Sequence, residues 1–234
     1  MIPGDRRPEP DADPALPTEP RHDARAQRRS PAMSYDPPRP AGRLLLTPED
    51  KDAPARTLRL RRLGLGERPD PDLDAFADHL AHLTSAPYAM VNFLDDSGQF
   101  FAGLHRPRRD VLSVDTAGPA DGDDPDGTRR EVGRRLARDH GFCPHVVVRR
   151  KALVLEDVCD YPRFAGNPVV DEFGIRSYLG APLIDSTQTV LGTVCVVDVE
   201  PRPWGRAGLT TIKAAAAELV PRLERRGEAE HGRA

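Results

Sequence analysis

The residues of this 234-residue chain best suited to chemistry are Cys143 and His145. An imidazole beside a thiol lowers its pKa and stabilises the thiolate, the form that attacks electrophiles. Pro144 stands between the two, so spacing alone does not bring their side chains together. The other thiols, Cys159 and Cys195, are distant in sequence, and no Cys-x-x-Cys occurs. An odd count at wide spacing fits reduced thiols better than disulfides or zinc ligands. Cys195, set among Val194, Val196 and Val197, reads as a small core residue of a strand. Asp121-Gly122-Asp123-Asp124 lacks the ligand spacing of a Ca²⁺ loop and reads as a loose connection. Arg129, Arg130, Arg134, Arg135 and Arg138 could bind an anion, but on a helix such a run more often forms a solvated face. Neither a metal site nor a catalytic set is expected.

A frame must position these groups. Leu58, Leu60, Leu63 and Leu65 among arginines predict a short helix over 57–65, ended by Gly64 and Gly66. Asp70 suits a helix N-cap and Pro71 the first helical position. Leu73, Phe76, Ala77, Leu80 and Leu83 then make one apolar stripe, with His79 and His82 off it. Tyr88 to Asp95 is apolar on both faces apart from Asn92. Asp96-Ser97-Gly98 supplies a turn and Gln99 to His105 returns, which makes a β-hairpin. A helix is expected over 131–139, closing at Gly141, then a strand over 152–155 and a loop or short helix over 161–173. Tyr178 to Ile184 and Thr189 to Asp198 read as two long strands joined by Asp185-Ser186-Thr187-Gln188. Both are apolar on both faces, so the sheet must be covered on each side. In a last helix, expected over 208–220, Leu209, Ile212, Ala216, Leu219 and Leu223 recur at alternating three- and four-residue steps. That spacing suits a helix-pairing seam and equally a helix packed on its own sheet. Pro221 should kink or end this helix.

Composition narrows the function classes. Twelve of the 25 prolines fall before residue 55, in a stretch with mixed charge and few apolar residues. Such a segment cannot bury enough surface to offset the entropy of ordering, so residues 1–55 read as a disordered Pro/Arg-rich tail and 227–234 as a disordered C-terminus. Met33 offers a second translation start, and Leu44-Leu45-Leu46 is the tail's one apolar patch. The formal net charge of −3 argues against a nucleic-acid partner, which demands excess Lys and Arg. No apolar run is long enough to span a membrane and no secretory signal is apparent, which leaves the cytoplasm as the default location.

Three segments carry a family resemblance. Phe142-Cys143-Pro144-His145-Val146-Val147 is similar to the F-C-x-H wording of GAF domains. Asp157-Val158-Cys159-Asp160-Tyr161-Pro162-Arg163-Phe164-Ala165-Gly166-Asn167-Pro168 resembles the D-x-x-x-D-P-R-F-x-x-N-P segment that lines the ligand side of many bacterial members. Gly174 to Leu183 followed by Leu191 to Asp198 supplies the third. Their joint order, over 56–226, is specific although no one piece is. The resemblance implies an α+β fold: a central antiparallel sheet of five or six strands, with dimer-forming helices on one face and a pocket closed by loops 140–175 on the other.

Members of that family bind cyclic nucleotides, tetrapyrroles, haem or small metabolites, so the fold does not name a cofactor, and none is assigned. The N-K-x-F-x-D-E signature of cyclic-nucleotide members is absent, as is the bilin-type Cys-His pair. The resemblance places Asn92, Phe142, Cys143, His145, Asp157, Phe164, Arg176 and Tyr178 at the ligand site, with Tyr161 and Phe173 nearby. An apolar cleft with a few convergent polar groups is what a small-molecule site needs. The same aromatics could instead fill the cavity. The expectation is a non-catalytic, homodimeric sensory or regulatory module that binds a small molecule or a signalling-protein partner. Its alternatives are a dimerisation or interaction module with no ligand and a thiol redox enzyme of the free methionine sulfoxide reductase type. That enzyme's cysteines have no residue-by-residue match here. With the chain ending at Ala234, output is expected to pass to another protein or to a dimer partner.

Overall fold

The computed structural model describes residues 47–107 and 133–231. The Pro-rich stretch 1–46, the acidic loop at 121–124, Arg129 and Arg130 lie outside the described residues. Strands β1 (Tyr88–Leu94), β2 (Gln99–His105), β3 (Arg135–Leu136), β4 (Leu153–Leu155), β5 (Ser177–Ile184) and β6 (Val190–Asp198) form one sheet in the order β3-β2-β1-β6-β5-β4. Every pairing is antiparallel. The central position of β6 explains its composition. All nine of its residues are buried, which requires apolar side chains toward both faces and a layer over each.

One layer contains helices α1 (Ala53–Arg62), α2 (Pro71–Thr84) and α6 (Gly205–His231). Its core joins Leu60, Phe76, Leu80, Leu191, Ile212, Leu219 and Leu223. The other layer carries α3 (Cys143–Arg149), α4 (Pro162–Ala165) and α5 (Pro168–Phe173). Its core joins Phe142, Val146, Val158, Phe164, Tyr178 and Cys195.

The start of α2 follows its sequence closely. The Asp70 carboxylate accepts from the amides of Asp72 and Leu73, and Pro71 occupies a position where no amide hydrogen is needed. Leu73, Phe76, Ala77 and Leu80 are buried as the stripe predicts, whereas Leu83, at 59% exposure, has rolled off the sheet. Both hairpins form. The Asp95 carboxylate accepts from the Ser97 and Gly98 amides at 2.8 Å, and Asp185 accepts from Thr187 and Thr189 amides at 3.0 and 2.8 Å. These side chains close the turns locally, as Asp does where the backbone needs an internal acceptor. Pro182 lies in β5 beyond the stretch paired with β4, where its missing amide hydrogen costs no ladder bond on that side.

Three expectations are corrected. The helix expected over 131–139 is a short strand where described: Gln99 pairs with Leu136 and Phe100 with Arg135. Its arginines are engaged rather than solvated. Arg134 holds Asp74 through two bonds of 2.9 Å, Arg135 lies over the Phe100 ring at 5.1 Å, and Arg138 reaches Asp50 at 3.1 Å. Edge pairing and ion pairs outweigh the local helical preference of the run.

The first helix starts at Ala53, ahead of the expected 57, so the ordered domain begins before residue 56. Its anchor is Arg56, 1% exposed, which donates from Nε to the Leu94 carbonyl at 2.7 Å and pairs with Asp50.

The last helix runs from Gly205 through Pro221 to His231, so residues 227–231 are helical rather than disordered. Pro221 and Ala217, the residue whose carbonyl loses its amide partner, are both exposed, so water can satisfy that carbonyl. Of the two destinations that the spacing of this helix allowed, the structure has the second: Ile212, Ala216, Leu219 and Leu223 pack into the molecule's own core.

Gly103 marks the closest approach of α2 to the sheet. A Cβ there would stand 2.3 Å from the Leu73 carbonyl oxygen and 2.6 Å from its carbon, which is backbone that cannot yield without shifting the helix. Gly103→Ala is therefore expected to cost about 1–3 kcal/mol, the usual range for overpacking. A urea denaturation midpoint unchanged from wild type would refute this account of the α2–β2 contact.

Candidate functional site

Residues 140–177 cover one face of the sheet, and their local chemistry explains how. Gly141 takes a φ of 78°, which lets the chain turn into α3. Asn167 ties that turn to α5: its side chain accepts from the Gly141 and Val169 amides at 2.8 and 3.2 Å and donates to the Gly141 carbonyl at 2.9 Å. A buried amide satisfied on both sides holds two distant loops in register.

This clamp brings five of the eight expected residues together. The rings of Phe142 and Phe164 meet edge-to-face at 5.8 Å, Phe142 and Tyr178 at 5.3 Å, and His145 and Phe164 at 5.0 Å. Phe142, Cys143, His145, Phe164 and Tyr178 are all buried. Edge-to-face pairs of this kind are each worth about 0.5–1.5 kcal/mol beyond the area they bury. Tyr161, by contrast, is exposed.

Asn92 belongs to the same face from below. It is fully buried at a slip in the β1–β2 register and donates from Nδ2 to Gln99 Oε1 at 2.9 Å. Gln99 in turn donates to the Ala137 and His140 carbonyls at 2.8 and 2.6 Å. A bulge at this point is a common way to re-aim a side chain.

Asp157 and Arg176 are not part of this cluster. Asp157 caps the 3-10 turn Val158–Asp160 by accepting from the Cys159 amide, and Arg176 grips the carboxylate through Nε at 3.0 Å and Nη2 at 2.5 Å. They form a partly exposed ion pair that fastens the turn to the start of β5. The hydrogen bond from Arg176, followed by the Cys159 amide, holds the Asp157 carboxyl below its ordinary value despite some desolvation. The same bond raises Arg176.

The partner of Cys143 is not His145. Two residues apart on a helix, these side chains point to different sides. Cys143 Sγ lies 3.7 Å from Cys195 Sγ and 3.5 Å from the Tyr178 hydroxyl. The Cys195 thiol, with Thr193, Tyr178 and Asn92, favours the Cys143 thiolate enough to lower its pKa against the cost of burial. Cys195 is pushed well up, because the neighbouring sulfur and burial both disfavour a second negative charge. Burial, then the two sulfurs, pushes Tyr178 up, so its hydroxyl stays a donor. No disulfide joins Cys143, Cys159 and Cys195 in this structure, and Cys159 is exposed whereas the other two are buried.

Sequence reading missed Cys195, Thr193 and Gln99. The signal was present: Thr193 and Cys195 alternate on one face of β6, and Asn92 stands opposite Thr193 in the β1 ladder.

The opposite face carries two hollows. A groove of about 530 Å³ runs between α2 and α6, floored by Leu73, Phe76, Leu219 and Leu223 and rimmed by Asp72, Glu218, Arg222 and Arg226. A hollow of about 240 Å³ lies beside it, near Leu65 and Phe93. Among the described residues, no group of His, Cys, Asp and Glu is arranged to hold a metal ion, and no helix is long and apolar enough to cross a membrane.

Against known proteins, a family model for the GAF domain matches residues 69–221. The cyclic di-GMP phosphodiesterase PA2567 of Pseudomonas aeruginosa is 30% identical over 181 residues, which is 75% of this chain and 26% of that protein. The chain thus spans about a quarter of that relative's length. The GAF domain of PixJ from Thermosynechococcus elongatus, in its blue-light absorbing form, superposes with a TM-score of 0.51 at 15% identity, covering 75% of this chain and 92% of that one. The free methionine-R-sulfoxide reductase of Neisseria meningitidis gives a TM-score of 0.49 at 17% identity over 78% and 96% of the two chains.

The Asp157–Arg176 pair makes a pH-dependent contribution with a definite sign. Because the folded carboxyl titrates below its unfolded value of about 3.9, its stabilisation is complete above that pH and is lost as pH falls through the lowered pKa. Arg176→Ala is expected to raise the Asp157 pKa, read by carboxyl-carbon NMR titration. An unmoved titration curve would show that the cap amide alone sets it.

Proposed function

Since this chain belongs to the GAF domain family, whose members are sensory and regulatory modules, we propose that it is a non-catalytic regulatory module working through protein contact, with a second copy of itself as the first partner. The observation that carries this reading is the packing of Phe142, Phe164, Tyr178 and His145 on one another, at 5.0–5.8 Å, where a small-molecule pocket was expected. Opening that site would mean pulling apart edge-to-face rings and exposing a buried amide and thiol. The groove between α2 and α6 supports the partner reading. Its rim sets carboxylates on both helices and guanidinium groups on α6 around the exposed Ala75 and His79, above apolar side chains that stay in the core. A rim carrying both signs can meet its own copy about a two-fold axis, the arrangement of most homodimers. The contact uses the exposed rim of this groove, because Leu219 and Leu223 beneath it belong to the buried seam of α6.

Small-molecule sensing is the second reading, favoured by the buried polar row of Asn92, Thr193 and Tyr178 beneath the rings. In that case the ligand would select a conformation in which the aromatic layer has moved, and its differential affinity would drive the response. The phosphodiesterase activity named for PA2567 is not proposed here, since the match covers 26% of that protein.

Native mass spectrometry and light scattering of the full chain test both readings. The expected result is an apo dimer that Ala75→Glu, placed in the groove, weakens at least about tenfold, or 1.4 kcal/mol. A monomer at all concentrations overturns the dimer, and a retained small-molecule mass would transfer the function to the aromatic site. The purified chain is also expected to leave cyclic di-GMP intact; turnover above a buffer control would refute the non-catalytic reading.

A further inference from the structure

We infer that Cys143 and Cys195 form a peroxide-reactive dithiol, a redox modification site buried beneath α3 that closes to a reversible disulfide. The proposal is independent of the partner-binding reading above.

The geometry begins with β6. Thr193 and Cys195 share one face of the strand, and Asn92 on β1 faces Thr193, so three polar or soft side chains are adjacent on a face that is otherwise apolar. Tyr178 on β5 completes the set. A Cβ on Gly180 would fall 2.2 Å from the Tyr178 hydroxyl, so the absent side chain at 180 lets the ring lie along the sheet toward the sulfurs. The Tyr178 hydroxyl then sits 3.5 Å from Cys143 Sγ, and Cys195 Sγ sits 3.7 Å from it. Asn92 Oδ1 is buried with no hydrogen-bond partner, and the buried Thr193 hydroxyl has none besides the Cys143 sulfur. Unspent polar atoms in a dry core carry a desolvation penalty that a purely structural pair of cysteines does not explain. They suit a place where charge and oxygen are transiently held.

The chemistry balances with hydrogen peroxide as the oxidant. The Cys143 thiolate attacks the peroxide oxygen: an S–O bond forms, the O–O bond breaks, and the departing oxygen leaves as water with the proton the thiol released. Cys143 is then a sulfenic acid. The Cys195 thiol attacks that sulfur, the S–S bond forms, the S–O bond breaks, and hydroxide leaves as water with the Cys195 proton. Two thiols lose two electrons and one peroxide becomes two waters. The sulfurs must close from 3.7 Å to about 2.0 Å, a displacement that draws α3 toward β6. Phe142 and His145 flank Cys143 in sequence and both pack on Phe164, so the aromatic layer is expected to respond. An exogenous dithiol reverses the step by exchange.

The test uses the full chain carrying Cys159→Ser, which removes the exposed third thiol. The folded protein is treated with hydrogen peroxide, quenched with an alkylating agent, unfolded and weighed. The expected result is loss of both thiols, a mass lower by two hydrogens before alkylation, a cross-linked peptide joining positions 143 and 195, and full recovery with dithiothreitol. With Cys195→Ser added, the reaction should stop at one oxygen on Cys143, trapped by a dimedone-type probe. Overturning the proposal requires that both thiols remain alkylatable after unfolding, under peroxide exposure that consumes Cys159 in the otherwise unaltered protein.

Discussion

The burial of β6 along its whole length is the constraint on which the rest depends. A central strand with no solvated face forces the chain to build a layer on each side of the sheet, and the two layers have different characters. One is made from three longer helices bearing aliphatic side chains. The other is made from short helices and turns, so its stability rests on interlocked rings, the Asn167 clamp and the Asp157–Arg176 pair. Short elements contribute little helical cooperativity of their own, and that face therefore depends on specific contacts.

Elements whose signals are local were legible in the sequence. Asp70-Pro71 began α2, Asp-rich turns closed both hairpins, and uniform apolarity identified two strands covered on each face. What could not be read was decided by partners distant along the chain. Residues around Arg135 look helical in isolation, yet Gln99 and Phe100 offer an unpaired strand edge and Asp74 a carboxylate. Likewise, the terminal helix has a spacing compatible with two destinations, and only the sheet beneath it selects between them.

The candidate site was legible to the same degree. Phe142, Cys143, His145, Phe164 and Tyr178 do converge, because they lie in segments whose order follows the family pattern. Nearness in sequence suggested the wrong partner for Cys143, however: the helical turn separates His145 from it, while strand alternation presents Cys195, 52 positions away. Asp157 and Arg176 pair with one another at the edge of this layer, apart from the buried rings.

Pro221 has a mechanical consequence. It removes one rung from the ladder of α6 on the solvent side, at a point where the inner side still presses Leu219 and Leu223 into the core. The helix stays continuous, with one backbone hydrogen bond fewer at that turn. Ahead of Pro221 the helix is packed on the core through Ile212 and Ala216, and beyond it through Leu223, with Arg226 also paired to Asp70 at the start of α2. The last turns of α6 are thereby tied at once to the core and to the capping residue of α2, so a displacement of either helix end is felt by the other.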